Sequence, residues 1–541
     1  MSYDYVIVGA GAAGCVLANR LSEDPATRVL LLEAGGTDDR FLIKLPLGLL
    51  RAFRDPALTW GYVSEPEPGL YGRALPVPRG RVLGGSSSIN GMFFMRGHSA
   101  DFDGWQALGC EGWSYGHVLP YFKKLERSWR GAVPYHGAAG PMPIVPNATT
   151  RLLHEPLMRT AAPAGFWTSE DLHGRLQEGF ARAELTVDAR GRRASASRAY
   201  LAPVRHRANL EVMQGVLTTR VLIERGRAVG IELRRGNETR RVHAEREVIL
   251  CGGTYNSPQM LLLSGIGAAD ELRSLGIRVQ ADLPGVGANL SEHLRAGLQF
   301  AAREPVSFLR ELRADRFAIS LLRWWLLGTG PLATQVSSCN VLIRTDATLA
   351  QPDVQLMCNP VRMDAKIWWP WFSARQSHLL TADAVLLHPR SRGRVSLRSP
   401  DPLAKPRIAF NALAEPEDLA SLIRGLRAAR RIYATRPQAD LIDREITPGP
   451  AVESDAQLEA HIRATASMTQ HPVGTCSMAP GQGQVVDPQL RVRGVDGLRV
   501  ADASIMPTVP GGNTYGAVLM IAERAADLIR GRTLPPQLER T

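Results

Sequence analysis

Tyr5–Gly14 reads YVIVGAGAAG: an apolar run, then Gly9, Gly11 and Gly14 in G-x-G-x-x-G order. CVLANRLSE follows with helical periodicity, placing Val16, Leu17 and Leu21 on one apolar face. TRVLLLEAGG is a second buried strand that ends in Glu33, nineteen residues after Gly14. Strand, glycine turn, helix, strand and acid together describe a dinucleotide-binding unit. Gly9 permits the tight turn, Gly11 lets backbone approach a pyrophosphate, and Gly14 lets helix and strand pack closely. The helix N-terminus offers free N–H groups and a positive dipole end to the phosphates. Glu33 can accept hydrogen bonds from ribose hydroxyls and would repel a 2′-phosphate, which disfavours NADP. This segment alone leaves NAD and FAD both open.

The rest of the chain bounds what such a unit could serve. Its 541 residues suffice for two to four domain equivalents, and 45% hydrophobic with 21% charged residues is an ordinary globular balance. The net charge of +12 is carried almost wholly by scattered Arg; Lys occurs only at 44, 123, 124, 366 and 405. No basic tail and no nucleic-acid-binding motif accompanies it, so no nucleic-acid partner is expected. The six cysteines (15, 110, 251, 339, 358 and 476) are isolated and mostly in apolar surroundings, as reduced thiols would be. With a strand starting almost at once at the N-terminus and no signal-peptide pattern, a cytoplasmic location is expected. FAISLLRWWLLGTGPL, from Phe317, is the most apolar long window. Arg323 interrupts it and it is too short to span a bilayer. A buried helix is expected there, with an apolar lid or a peripheral membrane contact as the alternative.

Three further blocks carry chemistry. GRVLGGSSSINGMFFMRGHSADFD (Gly80–Asp103) packs glycines and hydroxyls between apolar flanks, a surface that a flat ligand can approach through backbone. REVILCGGTYNSPQMLLLSGIG (Arg246–Gly267) takes a buried strand into Gly252–Gly253 and a helix. GLRVADASIMPTVPGGNTYGAVLMIAERAADLIRG (Gly497–Gly531) runs from a strand through Asp502 and a Pro/Gly loop to Asn513. An amphipathic helix then begins, with Val518, Leu519, Ala522, Ala525 and Ile529 inward. Between the last two blocks lies HPVGTC (His471–Cys476). Its histidine could be a metal ligand with Cys476, half of a Cys–His dyad, a buried structural imidazole or a catalytic base.

These blocks resemble the glucose–methanol–choline (GMC) oxidoreductase family of FAD enzymes from about Tyr5 to about Arg530. Gly80–Asp103 is similar to the family's first signature and Gly253–Gly267 to its second. HPVGTCSM with VVDPQLRVRGVDGLRVADASIMP and GNT is similar to its C-terminal catalytic segment. The resemblance implies an α/β fold: a Rossmann-like FAD-binding domain of GMC type plus an α+β substrate domain with an antiparallel sheet. It implies that Gly9, Gly11, Gly14 and Glu33 hold the ADP half of FAD. Arg81, Gly84, Gly85, Ser86, Asn90 and Gly91 would lie along the flavin and pyrophosphate. Thr218 would reach the adenine through its backbone, and Asp502 and Ala503 the phosphate–ribitol region. Thr514 and Tyr515 would present the last helix's N-terminus to the isoalloxazine. His471 matches the family's catalytic histidine and Asn513 its second catalytic position. Neutral imidazole suits removal of an alcohol proton, and an amide can hold the substrate oxygen without titrating. A metal site would need more ligands than this sequence clusters together, and Cys476 has no evident activating group.

Two departures matter. Ile89 stands where some members attach FAD covalently through His, so the FAD is expected to be non-covalent. Tyr515 stands where many relatives have a second Asn, which bears on substrate class. Residues 1–159, 206–298 and 471–541 are expected to form the FAD-binding domain, and 160–205 with 299–470 the substrate domain. DVQLMCNP (353–360), TADAVLLHP (381–389) and GRVSLRS (393–399) read as strands of one antiparallel sheet. IWWPWF (367–372) is read as core filling or as an apolar gate or wall favouring aromatic or bulky alcohols; His378 and His388 are read as structural or exposed. The expected activity is oxidation of a primary alcohol to the aldehyde, with O2 or a quinone-like acceptor taking the electrons. GTGPLA and LLHPRSRGRVSL resemble bacterial choline- and alkanol-dehydrogenase-like members and favour the acceptor. The alternatives are a non-oxidative family chemistry, as in hydroxynitrile lyases or the photodecarboxylase, or a basic non-enzymatic binding protein.

Overall fold

Val6 and Ile7 are fully enclosed on both faces, as a strand in the middle of a parallel sheet requires. In a computed structural model, which describes residues 2–148, 154–370, 372–373 and 376–537, the strand Ser2–Val8 lies between two parallel neighbours. Ile7 is in register with Leu31 of Val29–Glu33 on one side and with Ile249 of Glu238–Leu250 on the other. Leu210–Gln214 extends the sheet beyond Val29–Glu33. The long strand Glu238–Leu250 serves twice. Its first half pairs antiparallel with Arg227–Arg235, and its last three residues pair parallel with Leu498–Val500. A strand from the far end of the chain thereby joins the N-terminal sheet.

Two helices close this unit. Ala12–Leu21 starts at Gly11 and packs against Tyr515–Ile529. The Tyr515–Ile529 helix is enclosed nearly all round rather than on one face: Leu519, Ala522 and Ala525 are buried, and so are Glu523, Arg524 and Asp527. Glu523 is tolerated there because Arg20 grips its carboxylate from 2.7 Å and Lys124 lies at 3.3 Å. A buried charge persists only when paired in this way.

The second sheet is antiparallel throughout. Its order is Ile442–Thr447, Leu294–Ala302, Leu379–Leu386, Val354–Asn359, Cys339–Ile343 and Gly179–Arg182, with Ser467–Met468 also on Leu294–Ala302. The helix Pro416–Tyr433 crosses its back. Pro opens that helix, acids occupy its first turn and Arg430 and Arg431 its last, each complementing the helix dipole. At Gly425 a Cβ would sit 3.0 Å from Ala384 Cβ and 3.2 Å from the Val354 methyls, so the helix backbone itself lies against those side chains. Each sheet has its own hydrophobic core.

Three expectations are corrected. The GRVSLRS segment does form a strand, Arg394–Ser396, but it pairs with Arg407–Ala409 in a separate two-stranded sheet. The FAISLLRWWLLG window is a helix, Ala314–Leu327, yet only Ala314, Ser320 and Trp324 are buried in it. Within IWWPWF, Trp369 is 62% and Phe372 88% exposed, so neither fills a core; Trp371 lies outside the described residues. No helix is long and apolar enough to cross a membrane among the described residues.

Candidate active site

The parallel strands ending at Val8, Glu33, Leu250 and Val500 deliver their C-terminal loops to one side, where open α/β sheets bind ligands. A cavity of about 1530 Å³ lies there, walled on its far side by Arg295, Met357, Asn359 and Ser467 of the antiparallel sheet. Every expected site residue lines it except two: Gly9, Gly11, Glu33, Arg81, Gly85, Ser86, Asn90, Gly91, Thr218, His471, Asp502, Ala503, Asn513, Thr514 and Tyr515 all do. Gly14 and Gly84 stand behind the wall. A Cβ on Gly14 would lie 2.0 Å from the Gly9 carbonyl, and one on Gly84 would lie 2.3 Å from Ser88 Oγ. Gly14 lets neighbouring backbone come close and Gly84 lets two serine side chains do so, and neither lines the cavity itself.

The cradle's geometry follows from its residue types. Gly9 has φ +101°, and its Cβ would collide with the Cys251 carbonyl at 2.6 Å. Gly11 differs: a Cβ there would find only the Cys251 carbonyl, at 3.8 Å, and otherwise project toward the cavity. Glu33 Oε1 accepts from Gly35 N at 2.8 Å and Oε2 from Ala10 N at 3.2 Å. Burial pushes this carboxyl up to about 7, against the pull of those N–H groups and of Arg81. Asp502 is a latch. Its Oδ2 accepts from Gly253 N (2.8 Å) and Ser257 Oγ (2.5 Å), and its Oδ1 from Ser504 N and Oγ. The Gly253–Leu263 helix also clamps the histidine segment: Thr254 Oγ1 donates to the Pro472 carbonyl and Thr475 Oγ1 to the Thr254 carbonyl, both at 2.7 Å.

His471 has partners on both ring nitrogens. Asn513 Nδ2 lies 3.0 Å from Nε2; on the other side Nδ1 lies 3.0 Å from His293 Nδ1 and 3.0 Å from Thr469 Oγ1. The proton positions can be worked out from the far end. His293 Nε2 is 3.0 Å from the Leu387 carbonyl, which only accepts, so Nε2 carries that ring's proton. Burial holds His293 well below the ordinary imidazole range, hence neutral, and its Nδ1 is a bare acceptor. His471 Nδ1 must therefore be the donor of the shared bond. Nε2 of His471 is left unprotonated, and its lone pair accepts from Asn513 Nδ2 at the cavity wall. Burial, then Arg79 and Arg295, pushes His471 down to about 3. The ring is neutral through the physiological range.

His293, Glu292, Thr469 and Arg193 were not expected. Glu292 Oε1 accepts from His471 N at 2.6 Å and lies 3.3 Å from Thr469 Oγ1, while burial lifts its carboxyl to about 7. In SEHL (291–294) nothing distinguishes Glu292 and His293 until Leu387 and His471 fold against them. Arg193 is fully buried and, among the described residues, donates to carbonyl oxygens: those of the Ile43, Ser87 and Asn90 backbone and of the Asn90 side chain. It fixes the Ser86–Gly91 turn, and burial lowers it to about 9. GRRASASR hides it among scattered arginines. His378 and His388 do not line the cavity; they bond Ser307 and the Pro352 carbonyl. Cys476 is buried with its thiol pushed up by desolvation, and no group of His, Cys, Asp and Glu could hold a metal among the described residues. Those two readings of HPVGTC find no support in the geometry.

GMC oxidoreductase family models match residues 3–295 and 389–522. The chain belongs to the GMC oxidoreductase family. It is similar to the oxygen-dependent choline dehydrogenase of Rhizobium etli, 43% identical over 538 residues, which are 98% of this chain and 96% of the relative. Among solved structures, pyridoxine 4-oxidase from Mesorbium loti has TM-score 0.88 at 31% identity, covering 98% of this chain and 100% of that one. A fungal aryl-alcohol oxidase has TM-score 0.85 at 26% identity, covering 98% of each chain. The chain is an FAD-dependent oxidoreductase acting on CH–OH groups, as the family implies. The cavity fits that cofactor: Gly11 keeps clear the space a side chain would fill, and Thr218 Oγ1 and Asn513 Oδ1 are buried polar atoms with no hydrogen-bond partner among the described residues. Orphaned buried atoms of this kind are costly unless a ligand satisfies them.

Proposed function

We propose that this enzyme oxidises a primary, uncharged, bulky apolar alcohol to the aldehyde. The observation that carries the reading is the pair of groups at the cavity: the unprotonated His471 Nε2 and the Asn513 amide nitrogen, 3.0 Å apart. An alcohol oxygen within reach of both would give its proton to Nε2 and accept from Asn513 Nδ2. FAD, held by the Gly9–Gly14 turn, Glu33, the Arg81–Gly91 loop and the Asp502–Tyr515 segment, supplies the hydride acceptor. Ile89 offers no nucleophilic atom, so binding is non-covalent. As His471 gains its proton, the His293 lone pair and Thr469 Oγ1 remain beside Nδ1, and the Glu292 carboxyl holds the residue's backbone N–H.

The preference for an uncharged substrate rests on charge. Arg79 and Arg295 both act on His471. Arg295 is paired to Asp383 at 3.1 Å, but Arg79 has no carboxylate within ion-pair distance among the described residues. The cavity's acids are Glu33, Asp364 and Asp502: the first and last are engaged by backbone N–H groups, and Asp364 is held by Arg362. Trp60 and Tyr62 stack 5.9 Å apart in the wall, with Phe93 and Val336 also lining it. The Arg81 guanidinium already lies 5.0 Å from the Trp60 ring centre, where a substrate cation would compete with it. Choline is the second reading, favoured by the name of the Rhizobium relative. On this view residues 1–159, 206–293 and 471–541 form the FAD-binding domain and 160–205 with 294–470 the substrate domain, because Leu294–Ala302 lies in the antiparallel sheet.

Anaerobic mixing with benzyl-type alcohols, medium-chain alkanols and choline tests both readings. Flavin bleaching by the apolar alcohols, and not by choline, is expected; bleaching by choline alone would reverse the substrate assignment. Admitting O2, then a quinone analogue, identifies the acceptor. His471→Ala should stay yellow and lose nearly all bleaching.

A further inference from the structure

The helix Ala314–Leu327 is apolar on two faces. Its inner face carries Phe317, Leu321 and Trp324, which pack on Leu45, Leu47 and Leu332. The outer stripe carries Ile319, Leu322, Trp325 and Leu326, 69%, 59%, 59% and 67% exposed. Spacings of three, four and seven residues place these four on one side. Exposed single apolar residues are ordinary, but a continuous stripe on one helix is not. Phe41, 43% exposed, extends it, with its ring 6.4 Å from that of Trp325. Trp369 and Phe372 protrude from the segment whose Trp368 carbonyl accepts from Ala314 N.

The helix is firmly seated. Trp324 Nε1 donates to the Gly191 carbonyl at 2.7 Å, and Gly328 ends the helix at φ +67° against Arg190 backbone that a Cβ would strike at 2.6 Å. The outer face is therefore displayed on a fixed support. Around it the charge is basic. Arg323 on the helix, and Arg51, Arg54 and Lys366 at the adjoining cavity mouth, have no carboxylate within ion-pair distance among the described residues. Of the nearby acids, Asp315 and Asp364 are held by Arg313 and Arg362, and Glu311 is outnumbered by Arg310, Arg316 and Arg323. Apolar side chains with interfacial Trp and a surround of unpaired cations match a bilayer bearing anionic headgroups. A second copy of the same face would set like charges against each other.

We infer that the outer face of Ala314–Leu327 is a peripheral docking surface for an anionic lipid bilayer. The cavity opens beside the same helix, since Leu312, Phe317, Met363 and Ile367 line it. Docking brings that mouth to the lipid surface. The inference stands on this face alone and does not depend on which alcohol is oxidised.

Sedimentation with vesicles tests it. The holoenzyme is expected to pellet with phosphatidylcholine/phosphatidylglycerol vesicles, less with phosphatidylcholine alone, and less as salt rises. The triple variant Ile319→Gln, Leu322→Gln, Leu326→Gln should bind at least about tenfold more weakly, and Arg323→Gln about fivefold. None of the three triple-variant positions lines the cavity, so turnover with soluble substrate and acceptor should not change. All six native cysteines are buried. Leu322→Cys therefore takes a single environment-sensitive label, whose emission should shift blue with the mixed vesicles. Failure of the wild type to pellet, equal binding by the triple variant, or no spectral shift would overturn the inference. So would self-association in solution that the triple variant abolishes.

Discussion

Replacing His293 by Leu removes the acceptor that fixes the His471 tautomer and leaves most of the site in place. In the resting enzyme the lost bond is a neutral one, 3.0 Å between the two Nδ1 atoms, and Thr469 Oγ1 remains at 3.0 Å from His471. The larger cost comes when His471 takes the alcohol proton, because a bond from a charged donor is worth about 1.5–3 kcal/mol. That corresponds to roughly a 10- to 150-fold fall in kcat. KM should hold near its wild-type value, since the missing interaction strengthens only as the proton moves. Stopped-flow flavin reduction across pH measures this directly. The wild type should show no imidazole-like limb near neutrality, because burial and the two guanidiniums push His471 down to about 3. His293→Asn, whose amide oxygen can stand in for the Nδ1 acceptor, should recover much of the rate. Wild-type turnover by His293→Leu, or an Asn variant no faster than Leu, would refute the tautomer argument and leave His293 a packing residue.

Other outcomes follow from the same geometry. Asn513→Ala removes the one amide donor at Nε2 and should lower the reduction rate about 100- to 1,000-fold while flavin absorbance persists. Gly11→Ala adds a methyl where only the Cys251 carbonyl stands within 4 Å, at 3.8 Å; apoprotein melting should be unchanged and the purified protein should carry little flavin. Acid stability has two opposing contributions in the apoprotein. His471, lowered to about 3, and His173, lowered to about 4, stay neutral when folded, so the unfolded chain gains protons first and stability falls as pH drops below about 6.5. Glu33 and Glu292, raised to about 7, bind protons earlier when folded and oppose this loss down to about pH 4.5. Calorimetry should therefore show a shallow dependence from pH 6.5 to 4.5 and a steep loss below it.

The dinucleotide-binding turn is legible in sequence because its geometry admits few residues. Gly9 at φ +101° and Gly14 against a carbonyl tolerate nothing larger. The rest needed tertiary partners. Alternation marks Arg394–Ser396 as a strand but says nothing of which strand it meets. Apolarity predicts that Ala314–Leu327 forms a helix and cannot say whether protein covers both its faces. The helix Tyr515–Ile529 looked amphipathic because Glu523 and Asp527 are charged, yet Arg20 and Lys124 allow them to be buried. His293 acts through Leu387, ninety-four residues away, and its ring is unremarkable until that carbonyl fixes its proton.

The Asp502 latch has a consequence for a chain emerging from the ribosome. The Gly9 turn, the Ser86–Gly91 loop and the Gly253–Leu263 helix are all made before His471, Asp502 and Asn513 exist. An unfinished polypeptide can shape much of the nucleotide cradle but has neither the imidazole nor the amide, and Gly253 N and Ser257 Oγ wait for their carboxylate. The segment that places Leu498–Val500 in the sheet also carries the latch and follows the imidazole in the chain. Redox competence is thus withheld until synthesis has passed Asn513, and a nascent chain abandoned earlier lacks both the imidazole–amide pair and the latch.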